Sequence, residues 1–565
     1  MCGIAGIVNF DGRTVEKGDL KAQTEAIAHR GPDGEGFWIS EDGKVGLGHR
    51  RLAIIDLSES AKQPMLYANR YSITYNGEIY NYKELKEDLL ERGYSFNSTS
   101  DTEVLIAMYD AYGSDCLSQL DGMFAFAIYD SKEKKLFCAR DRFGEKPFYY
   151  AHSDEHFVFG SEMKALWAAG VSQTRNSRMD YNHQAYGFYY NPDDFSQTFF
   201  EDCLQLPHAH FLELDVDSGK IITQAYWSLK PSNFEGTKKE AQKELTRLLK
   251  LSIKRRLRSD VELGSSLSGG LDSGILASLT SSMIKPNKLN TFSAIFPGYE
   301  KDESGYVAEI VQQLEVHSHA ISPNATDWEK EKESFLAHQE EPVVDESPFL
   351  LYKVYGKAKK EGVKVLLDGQ GADEVFGGYH AYFFSLLNEL KGHADYEDER
   401  NAIEDVHDSG DFNDYDFFKK QAYYASIFKS KMAWLRKLKQ FLQQFYRPKT
   451  DWSLFKKEHK NSFSREYSFE TLNEHLAYDC LEGKLQNLLR YADRSSMAHG
   501  VEIRLPFLFH ELVEFAFSLP ASYKISGGFT KAILRDSFHS FLPPSVVFRR
   551  DKIGAEGDFK PKVKK

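Results

Sequence analysis

Cys2 directly follows Met1, and this position would allow it to act as a catalytic nucleophile. Methionine aminopeptidases remove an initiating methionine when the next residue is small, and removal would leave a cysteine with a free α-amine. The amine has an ordinary pKa of ~7.7–8.0 and the thiol of ~8.5, so one residue would supply both the nucleophile and its general base. Taken alone, however, Cys2 is better explained as a small apolar residue that is buried.

A second chemical signal is the segment SGGLDS at 268–273, which follows a predicted strand and begins a predicted helix. Backbone N–H groups at a glycine turn and at a helix N-terminus bind anions such as phosphate. The segment is not a Walker A loop, because the pattern GxxxxGK[ST] occurs nowhere in the chain. A second glycine-rich segment, DGQGADE at 368–374, ends another predicted strand. The two loops together indicate a phosphate-binding site more specifically than either does alone.

Short strands and few helices are predicted to position Cys2. A helix is expected at 82–92, and Ser100 has capping-box spacing to Glu103 ahead of an apolar helical stripe. The predicted strands cover residues 2–10, 44–56, 71–81, 122–130, 135–141 and 147–151. Strands joined by short turns predict antiparallel sheets packed against helices, an α+β arrangement.

The pattern changes after a linker-like segment at 231–236. A long helix follows, and its basic residues between Lys238 and Arg258 predict a solvated face. Strands predicted at 261–268, 289–296 and 363–367 then alternate with helices. This alternation predicts a parallel sheet that binds ligands beyond the carboxyl ends of its strands. We therefore expect two domains, residues 1–230 and residues 237–565.

Composition restricts the partners and the compartment. The chain has 71 basic and 84 acidic residues, a net charge of −13, which argues against nucleic acid and anionic membranes as main partners. Its five cysteines include no CxxC pair, so a disulfide framework and a zinc ribbon are not expected. No apolar stretch reaches about 18 residues, and the first residues lack a signal-peptide pattern. We expect a globular cytoplasmic protein.

Five ordered motifs in the first 101 residues resemble the class II glutamine amidotransferase domain. They are CGIAG at 2–6, HRGPD at 29–33, GHRRLAIID at 48–56, YNGEIYN at 75–81 and SD at 100–101. The resemblance implies an N-terminal-nucleophile hydrolase fold, a sandwich with α/β/β/α layers. An Asn-Gly pair alone would otherwise indicate only a hairpin turn, and that reading leaves the other motifs unexplained.

Residue roles follow from this resemblance. Cys2 would attack the side-chain amide of glutamine, while Asn76 and the Gly77 N–H would form the oxyanion hole. Glu78 and Asp101 would hold the substrate ammonium group. The remaining glutamine-binding residues would be Arg51, which pairs with the α-carboxylate, and Leu52, Ala53, Ile54 and Ile55.

The rest of the chain resembles the synthetase domain of glutamine-hydrolysing asparagine synthetases, an α/β parallel-sheet pyrophosphate-loop ATPase with added helices. The resemblance rests on the two glycine-rich loops, on the block 490–508, and on basic residues at Lys531, Arg535 and 549–552. It implies that fixed cations stabilise an adenylation transition state, with Lys552 catalytic. Asp272 and Asp373 would hold Mg²⁺. The implied ATP-binding residues are Leu267, Ser268, Gly269, Gly270, Asp272, Ser273, Ala294, Asp368 and Gly369.

Three departures from the family pattern lie in the synthetase part. Gln370, at the site of the acyl-adenylate intermediate, stands where the family usually has Glu; Gly274 replaces a second loop Ser, and Phe509 replaces a common Asp. The resemblance implies that glutamine, ATP and, as the leading acceptor, aspartate are the substrates, with ammonia passed internally to the acyl-adenylate. Two alternatives stay open: amidation of another acid, such as a sugar acid or a secondary-metabolite intermediate, and a regulatory protein without synthetase turnover. A homodimer is also left open.

Overall fold

The computed structural model describes residues 2–299, 301–343, 347–408 and 469–551, and its strands form three sheets. Two six-stranded sheets belong to the N-terminal region, residues 2–230, and a five-stranded sheet belongs to the C-terminal region, residues 237–551. Within these residues, no helix is long and apolar enough to cross a bilayer. All five cysteines are free thiols.

The first sheet carries Cys2 at its centre. Its strands are β1 (Gly3–Asn9), β2 (Gly34–Ile39), β3 (Val45–Arg51), β8 (Tyr149–His152), β9 (His156–Gly160) and β10 (Leu204–Gln205). They lie in the order β10-β8-β9-β1-β3-β2, and all pairs are antiparallel. The central β1 is buried on both faces, which explains its almost unbroken apolar sequence and places the start of the strand deep in the fold.

The second sheet carries Asn76 and Gly77. Its strands are β4 (Met65–Tyr67), β5 (Tyr71–Ile79), β6 (Gly122–Asp130), β7 (Lys135–Arg140), β11 (His210–Asp215) and β12 (Ile221–Ala225). Their order is β12-β11-β7-β6-β5-β4, again antiparallel. The nine-residue pairing of β5 with β6 holds both residues in the most extensively paired strand of this sheet.

The two sheets pack face to face and are covered by helices outside, as the α/β/β/α expectation requires. Alternate residues of β1, Ile4 and Val8, pack against the second sheet, while Ile7 packs on the opposite side with Leu20 and Leu166. The outer helices are α1 (Lys17–Ala26), α4 (Met163–Ala168) and α5 (Ser177–Tyr186) on the first sheet, and α2 (Tyr82–Glu91) and α3 (Asp101–Tyr112) on the second.

A parallel sheet organises the C-terminal region, as predicted. Its strands, in the order β15-β14-β13-β16-β17, are β13 (Leu263–Ser266), β14 (Asn290–Ala294), β15 (His317–Ile321), β16 (Val365–Leu367) and β17 (Glu502–Arg504). The carboxyl ends of β13, β14 and β16 therefore lie at one edge, where both glycine-rich loops emerge.

Helices cover this sheet and extend beyond it. Before the segment 409–468 they are α6 (Lys238–Arg256), α7 (Leu271–Ile284), α8 (Ser304–Leu314), α9 (Ala325–Gln339), α10 (Ser347–Lys360), α11 (Ala372–Phe376), α12 (Tyr382–Glu389) and α13 (Tyr396–Asp408). After it they are α14 (Leu472–Leu481), α15 (Lys484–Met497), α16 (His510–Ser518), α17 (Ala521–Lys524), α18 (Ala532–Phe538) and α19 (Pro544–Val547).

The structure corrects two local expectations in the N-terminal region. The strand predicted at 44–56 ends at Arg51, which leaves residues 52–56 as a loop beside Cys2. Ser100 caps α3 by accepting from Thr102 N–H at 3.2 Å, but Glu103 does not complete a capping box, because it accepts the N–H groups of Asn97 and Ser98 instead.

The expectation that the basic face of α6 is solvated is wrong at the C-terminal end of this helix. Arg255 pairs with Asp121 at 3.0 Å, and Arg258, just beyond the helix, pairs with Glu84 at 2.9 Å. Both carboxylates belong to the N-terminal region. The basic residues of this segment therefore join the two regions, which a charge pattern read in isolation does not reveal.

Candidate functional site

A cavity beside Cys2 brings the glutamine-site candidates together. Its lining includes Arg51, Leu52, Ala53, Ile54, Ile55, Gly77, Glu78 and Asp101. These residues come from three places: the loop after β3, the end of β5 and the first turn of α3. The antiparallel sandwich places the three segments around the start of β1, although they are far apart in the sequence.

Cys2 is held by hydrogen bonds to its backbone. Its N–H donates to Asn76 Oδ1 at 2.9 Å, and its carbonyl oxygen accepts from Arg30 Nε at 3.2 Å. The Sγ atom lies 3.9 Å from the Leu52 carbonyl oxygen. Burial raises the pKa of the Cys2 thiol. The thiolate is therefore disfavoured, and attack on a substrate would need a proton acceptor close to Sγ.

Asn76 and Gly77 are neighbours near the end of β5. Asn76 is fully buried, and its Nδ2 group has no hydrogen-bond partner within the described residues. A Cβ atom at Gly77 would lie 2.2 Å from the Met123 carbonyl oxygen, so the close approach of β6 requires glycine here. A buried amide NH₂ group next to a nucleophile can stabilise a developing oxyanion.

Two buried carboxyl groups, Glu78 and Asp101, face the cavity. Asp101 accepts from the Ile79 N–H and the Tyr75 hydroxyl, both at 2.9 Å, yet burial raises its pKa. Burial and the nearby Glu502 also raise the pKa of Glu78, while Arg504 opposes this shift. One oxygen of Glu78, Oε2, has no hydrogen-bond partner in the described part of the chain. A cationic group of a substrate would offset the cost of burying these carboxyls.

Arg51 lies at the more open side of the cavity. Its guanidinium donates to the Ser58 carbonyl oxygen at 3.0 Å and to the Asp56 carbonyl oxygen. The loop 52–58 is thus wrapped around this side chain. Ala53 N–H in the same loop donates to Asp33 of the HRGPD motif at 2.9 Å, which fixes the loop at a second point.

The nucleotide-loop candidates meet at the carboxyl edge of the parallel sheet. Leu267 pairs with the strand end at Phe292, and Gly269 takes a left-handed backbone with φ +82° before α7 begins. Ser273 Oγ accepts from the Ser268 N–H at 3.1 Å and so shapes the turn. Ala294 ends β14, next to this loop, and Gly270 is the N-cap of α7. The turn presents backbone N–H groups at a helix N-terminus.

Asp272 and Asp373 converge, as the resemblance implies for two ligands of one cation. Both contact Lys531 Nζ, at 2.6 Å for Asp373, and among the residues that the structure describes Asp272 Oδ1 has no hydrogen-bond partner. The described residues contain no cluster of three or more His, Cys, Asp or Glu side chains suited to a metal. Two carboxylates fit a Mg²⁺ ion that takes its other ligands from phosphates and water.

Gln370 and Asp368 lie beside this loop. Asp368 Oδ1 accepts from the Gln370 N–H at 3.2 Å, and burial raises the pKa of Asp368. Gln370 Oε1 is buried and has no partner within the described residues. Gly369 packs against Asp272, because a Cβ atom at this glycine would lie 3.2 Å from the Asp272 Cβ. Lys552, predicted to be catalytic, lies outside the described residues.

Two residues that were expected near phosphate lie elsewhere. Arg494 and Arg504, in the block 490–508, are fully buried where the two regions meet and pair with carboxylates. Arg549 does approach the loop, at 3.5 Å from the Gly269 carbonyl oxygen. Arg494 and Arg504 are therefore positioned by their carboxylate partners, and a phosphate role for Lys531, Arg535 and the segment 549–552 stays a prediction.

Sequence reasoning assigned no role to Arg30, Glu162, Asp493 or Glu502. Arg30 lies in a motif, but its partner Asp493 is 463 positions away in the sequence. Phe509, one of the departures, is buried beside Arg255 and Arg256, with its ring centroid 5.7 and 5.9 Å from their guanidinium carbons. Gly274, another departure, packs against Leu542, which is 3.0 Å from a Cβ atom built at this glycine.

Two family models together match almost the whole chain. A model described as glutamine amidotransferase domain matches residues 1–227, and one described as asparagine synthase matches residues 244–564.

Similar proteins span the same two parts. A putative glutamine-hydrolysing asparagine synthetase 2 of Methanocaldococcus jannaschii is 38% identical over 67% of this chain and 76% of that protein. Glutamine-hydrolysing asparagine synthetase 1 of Bacillus subtilis is 32% identical over 98% of this chain and 86% of that protein. Asparagine synthetase 3 of the same organism is 29% identical over 97% of this chain and 86% of that protein.

Proposed function

We propose that this chain, which belongs to the asparagine synthase family, makes asparagine, AMP and pyrophosphate from aspartate, glutamine and ATP. The observation that carries the proposal is the presence of two distinct sites that border one buried apolar cluster. The cluster includes Tyr80 and Met123 of the N-terminal region and Tyr355 and Ile503 of the C-terminal region. Met123 lies against Gly77, and the Tyr355 hydroxyl lies 3.4 Å from Asp368 Oδ2.

The glutaminase half of the proposal uses Cys2 after removal of Met1. The Cys2 thiol transfers its proton to the α-amine, and Sγ attacks the side-chain amide carbon of glutamine. Asn76 Nδ2 and the Gly77 N–H stabilise the oxyanion. Collapse of the tetrahedral species expels ammonia and leaves a thioester, which water hydrolyses to glutamate. Arg51 binds the substrate α-carboxylate, and Glu78 with Asp101 binds its ammonium group.

The synthetase half uses the loops at the carboxyl edge of the parallel sheet. The backbone of 267–270 holds the phosphates of ATP, while Asp368 and Gly369 line the nucleotide pocket. The carboxylate of aspartate attacks the α-phosphorus and releases pyrophosphate, giving an acyl-adenylate. Mg²⁺, held by Asp272 and Asp373, would neutralise charge on the pyrophosphate. Lys552 would stabilise the same step as a fixed cation.

Ammonia would reach the acyl-adenylate inside the protein. Free ammonia in neutral water is mostly protonated and is then not nucleophilic. An apolar route keeps it neutral, because burial of an ammonium ion is costly. The apolar cluster supports this route, since it extends from the neighbour of Gly77 to the neighbour of Asp368.

We assign the glutaminase to residues 1–230 and the synthetase to residues 237–565. The end of β12 at Ala225 and the start of α6 at Lys238 support this division. Gln370 is placed at the intermediate, where its amide oxygen can accept a hydrogen bond but cannot take up a proton at neutral pH.

The direct test is identification of the products of the purified protein by mass spectrometry, with ATP, Mg²⁺, glutamine and aspartate. We expect asparagine, AMP and pyrophosphate in equal amounts. Omission of aspartate should stop pyrophosphate release. If another carboxylic acid, and not aspartate, drives pyrophosphate release, the acceptor assignment is wrong. If no acid does so, the regulatory alternative is correct.

A further inference from the structure

A buried ion network links Cys2 to the C-terminal region. Arg30, which is 0% exposed, donates through both terminal nitrogens to Asp493 on α15, at 2.8 and 2.9 Å. Its Nη1 atom also contacts Glu162 at 2.7 Å. The Nε of the same guanidinium donates to the Cys2 carbonyl oxygen at 3.2 Å. One side chain therefore joins the backbone of the nucleophile to an acidic residue of the other region.

The geometry of Arg30 makes its position depend on Asp493. The two-pronged contact with a carboxylate fixes the plane of the guanidinium, and this plane sets the direction of the Nε–H bond. Arg30 lowers the pKa of the buried Asp493 carboxyl against the effect of burial, so the pair is ionised. An uncharged partner would leave a buried guanidinium incompletely paired and free to turn.

A second link reaches Glu78 from β17. Arg504 Nη2 lies 3.5 Å from Glu78 Oε1, and Arg504 Nε donates to Glu502 at 2.6 Å. Two carbonyl oxygens, those of Arg256 and Arg258, each accept from Arg504 Nη1 at 2.7 Å and hold the guanidinium in place. Burial first, and then Glu502, raise the pKa of Glu78 well above its usual range, and Arg504 opposes this shift without reversing it.

We propose that Asp493 and Arg504 of the C-terminal region complete the glutaminase site, Asp493 by positioning Cys2 through Arg30 and Arg504 by holding the Glu78 carboxyl in place for the substrate ammonium group. Neither residue touches the substrate, so both are positioning residues. The inference rests on the proposed glutaminase function.

β17, the strand that carries Arg504, also borders the synthetase site. The Arg504 carbonyl oxygen accepts from the Asp368 N–H at 3.0 Å, next to the proposed nucleotide pocket. β17 pairs with β16, the strand that leads into the loop 368–374. Arg504, one of the two residues that complete the glutaminase site, is thus attached to the strand that leads into the loop 368–374. Glutamine hydrolysis is therefore built to require a correctly docked synthetase region.

The two positioning roles predict effects on different kinetic parameters, one on kcat and the other on KM. Asp493→Asn should lower the kcat of glutamine hydrolysis ~10–100-fold, because a small displacement of a nucleophile has effects of this size, while KM stays within about twofold. Arg504→Met should raise KM for glutamine ~10-fold or more, because Glu78 loses the guanidinium that holds its carboxyl in place and then meets the ammonium group less well. Arg504→Lys should restore part of the lost affinity, since it keeps a positive charge.

Glu340→Gln is the matched control. Glu340 is a carboxylate of the same buried network, but its bonds go to Arg494, at 3.0 Å, and to the backbone N–H groups of Met163 and Lys164. A general loosening of the interface would make this variant as defective as Asp493→Asn, whereas a specific role predicts kcat within about twofold of wild type. If Asp493→Asn does not fold, as judged by its melting temperature, Arg30→Lys serves instead, and it should show the same fall in kcat with KM kept.

Steady-state glutamine hydrolysis by the full-length wild type and variants decides between the outcomes. The inference is supported by a kcat defect for Asp493→Asn, a KM defect for Arg504→Met and near-normal kinetics for Glu340→Gln. It is overturned if Asp493→Asn keeps the wild-type kcat or if Glu340→Gln matches its loss. Wild-type protein without any glutaminase activity would overturn the proposed function itself, a result that is distinct from either of these.

Discussion

The two candidate sites differ in how completely the protein arranges their residues. Cys2 and Asn76 are held by backbone and side-chain bonds inside two antiparallel sheets. Asp272 and Asp373 instead lie in the first turns of α7 and α11, beyond a parallel sheet, and share Lys531, whose backbone is left-handed with φ 52°. A non-glycine residue in this conformation carries backbone strain, and here the strained residue is the one that contacts both carboxylates.

The difference shows how one chain can separate two chemistries. In the glutaminase site, Asn76, Gly77 and Glu78 belong to β5 and Asp101 to the first turn of α3, so its chemistry depends on fixed geometry. In the synthetase site, two carboxylates share a lysine as their partner. The distribution of charge at this site would therefore change when the nucleotide and the metal bind. Substitutions should therefore change kcat at the first site and ligand-dependent steps at the second.

The largest expected effect is at the nucleophile. Cys2→Ala should reduce glutamine hydrolysis by ~10⁴-fold or more, since loss of a nucleophile removes the covalent step, while ammonia-dependent synthesis persists. Glutaminase and ammonia-dependent assays on one preparation measure both activities. Loss of both in a folded protein would show that the two sites are not independent. Intact-mass analysis of the active wild type should also show that Met1 is absent.

The second prediction concerns the carboxylates of the synthetase site. Asp272→Ala or Asp373→Ala should reduce ATP–pyrophosphate exchange ~10³-fold, because charge neutralisation by a metal contributes several kcal/mol. Glutaminase activity should survive. Asp536→Ala is the matched control, because Asp536 pairs on the surface with Lys238. Exchange at the wild-type rate in either site variant would exclude the metal role.

A smaller effect is expected at the oxyanion hole. Asn76→Ala removes the unpaired Nδ2 donor and should lower the kcat of glutamine hydrolysis by ~10²–10³-fold. KM should change little, because the donor acts on the charge that develops during attack. Initial-rate kinetics over a range of glutamine concentrations separate the two parameters. A change confined to KM would argue that Asn76 only binds substrate.

The smallest expected effect is at Gln370. Gln370→Glu should make asparagine as fast as the wild type or up to about tenfold faster, since a carboxylate can accept a proton that an amide cannot. Asparagine formation with saturating ammonia isolates this step from the glutaminase. A strong decrease, with exchange activity kept, would indicate that the acceptor site is built around an amide and would favour a different acid.

The sequence predicts the residues of each site better than the contacts between the regions. Cys2, Asn76 and Asp101 can be identified from the sequence because each lies in a short motif of adjacent residues. The parallel sheet is predicted by the alternation of strands and helices. The pairing of Arg30 with Asp493 joins two separate motifs across 463 positions, and no periodicity records it. Arg255 illustrates the same limit, because a basic helix face has the same pattern whether it meets water or a buried carboxylate.

The central claim is that ammonia passes from Cys2 to the acyl-adenylate within the protein, and an isotope experiment tests it most directly. The full-length protein is supplied with glutamine labelled with ¹⁵N at the amide, together with unlabelled ammonium at a concentration that alone supports little synthesis. Mass spectrometry measures the ¹⁵N-labelled asparagine, and its amount is compared with the amount of glutamate formed. We expect one labelled asparagine per glutamate, unchanged by the added ammonium. Asparagine whose label is diluted to the ratio in bulk solution would contradict it.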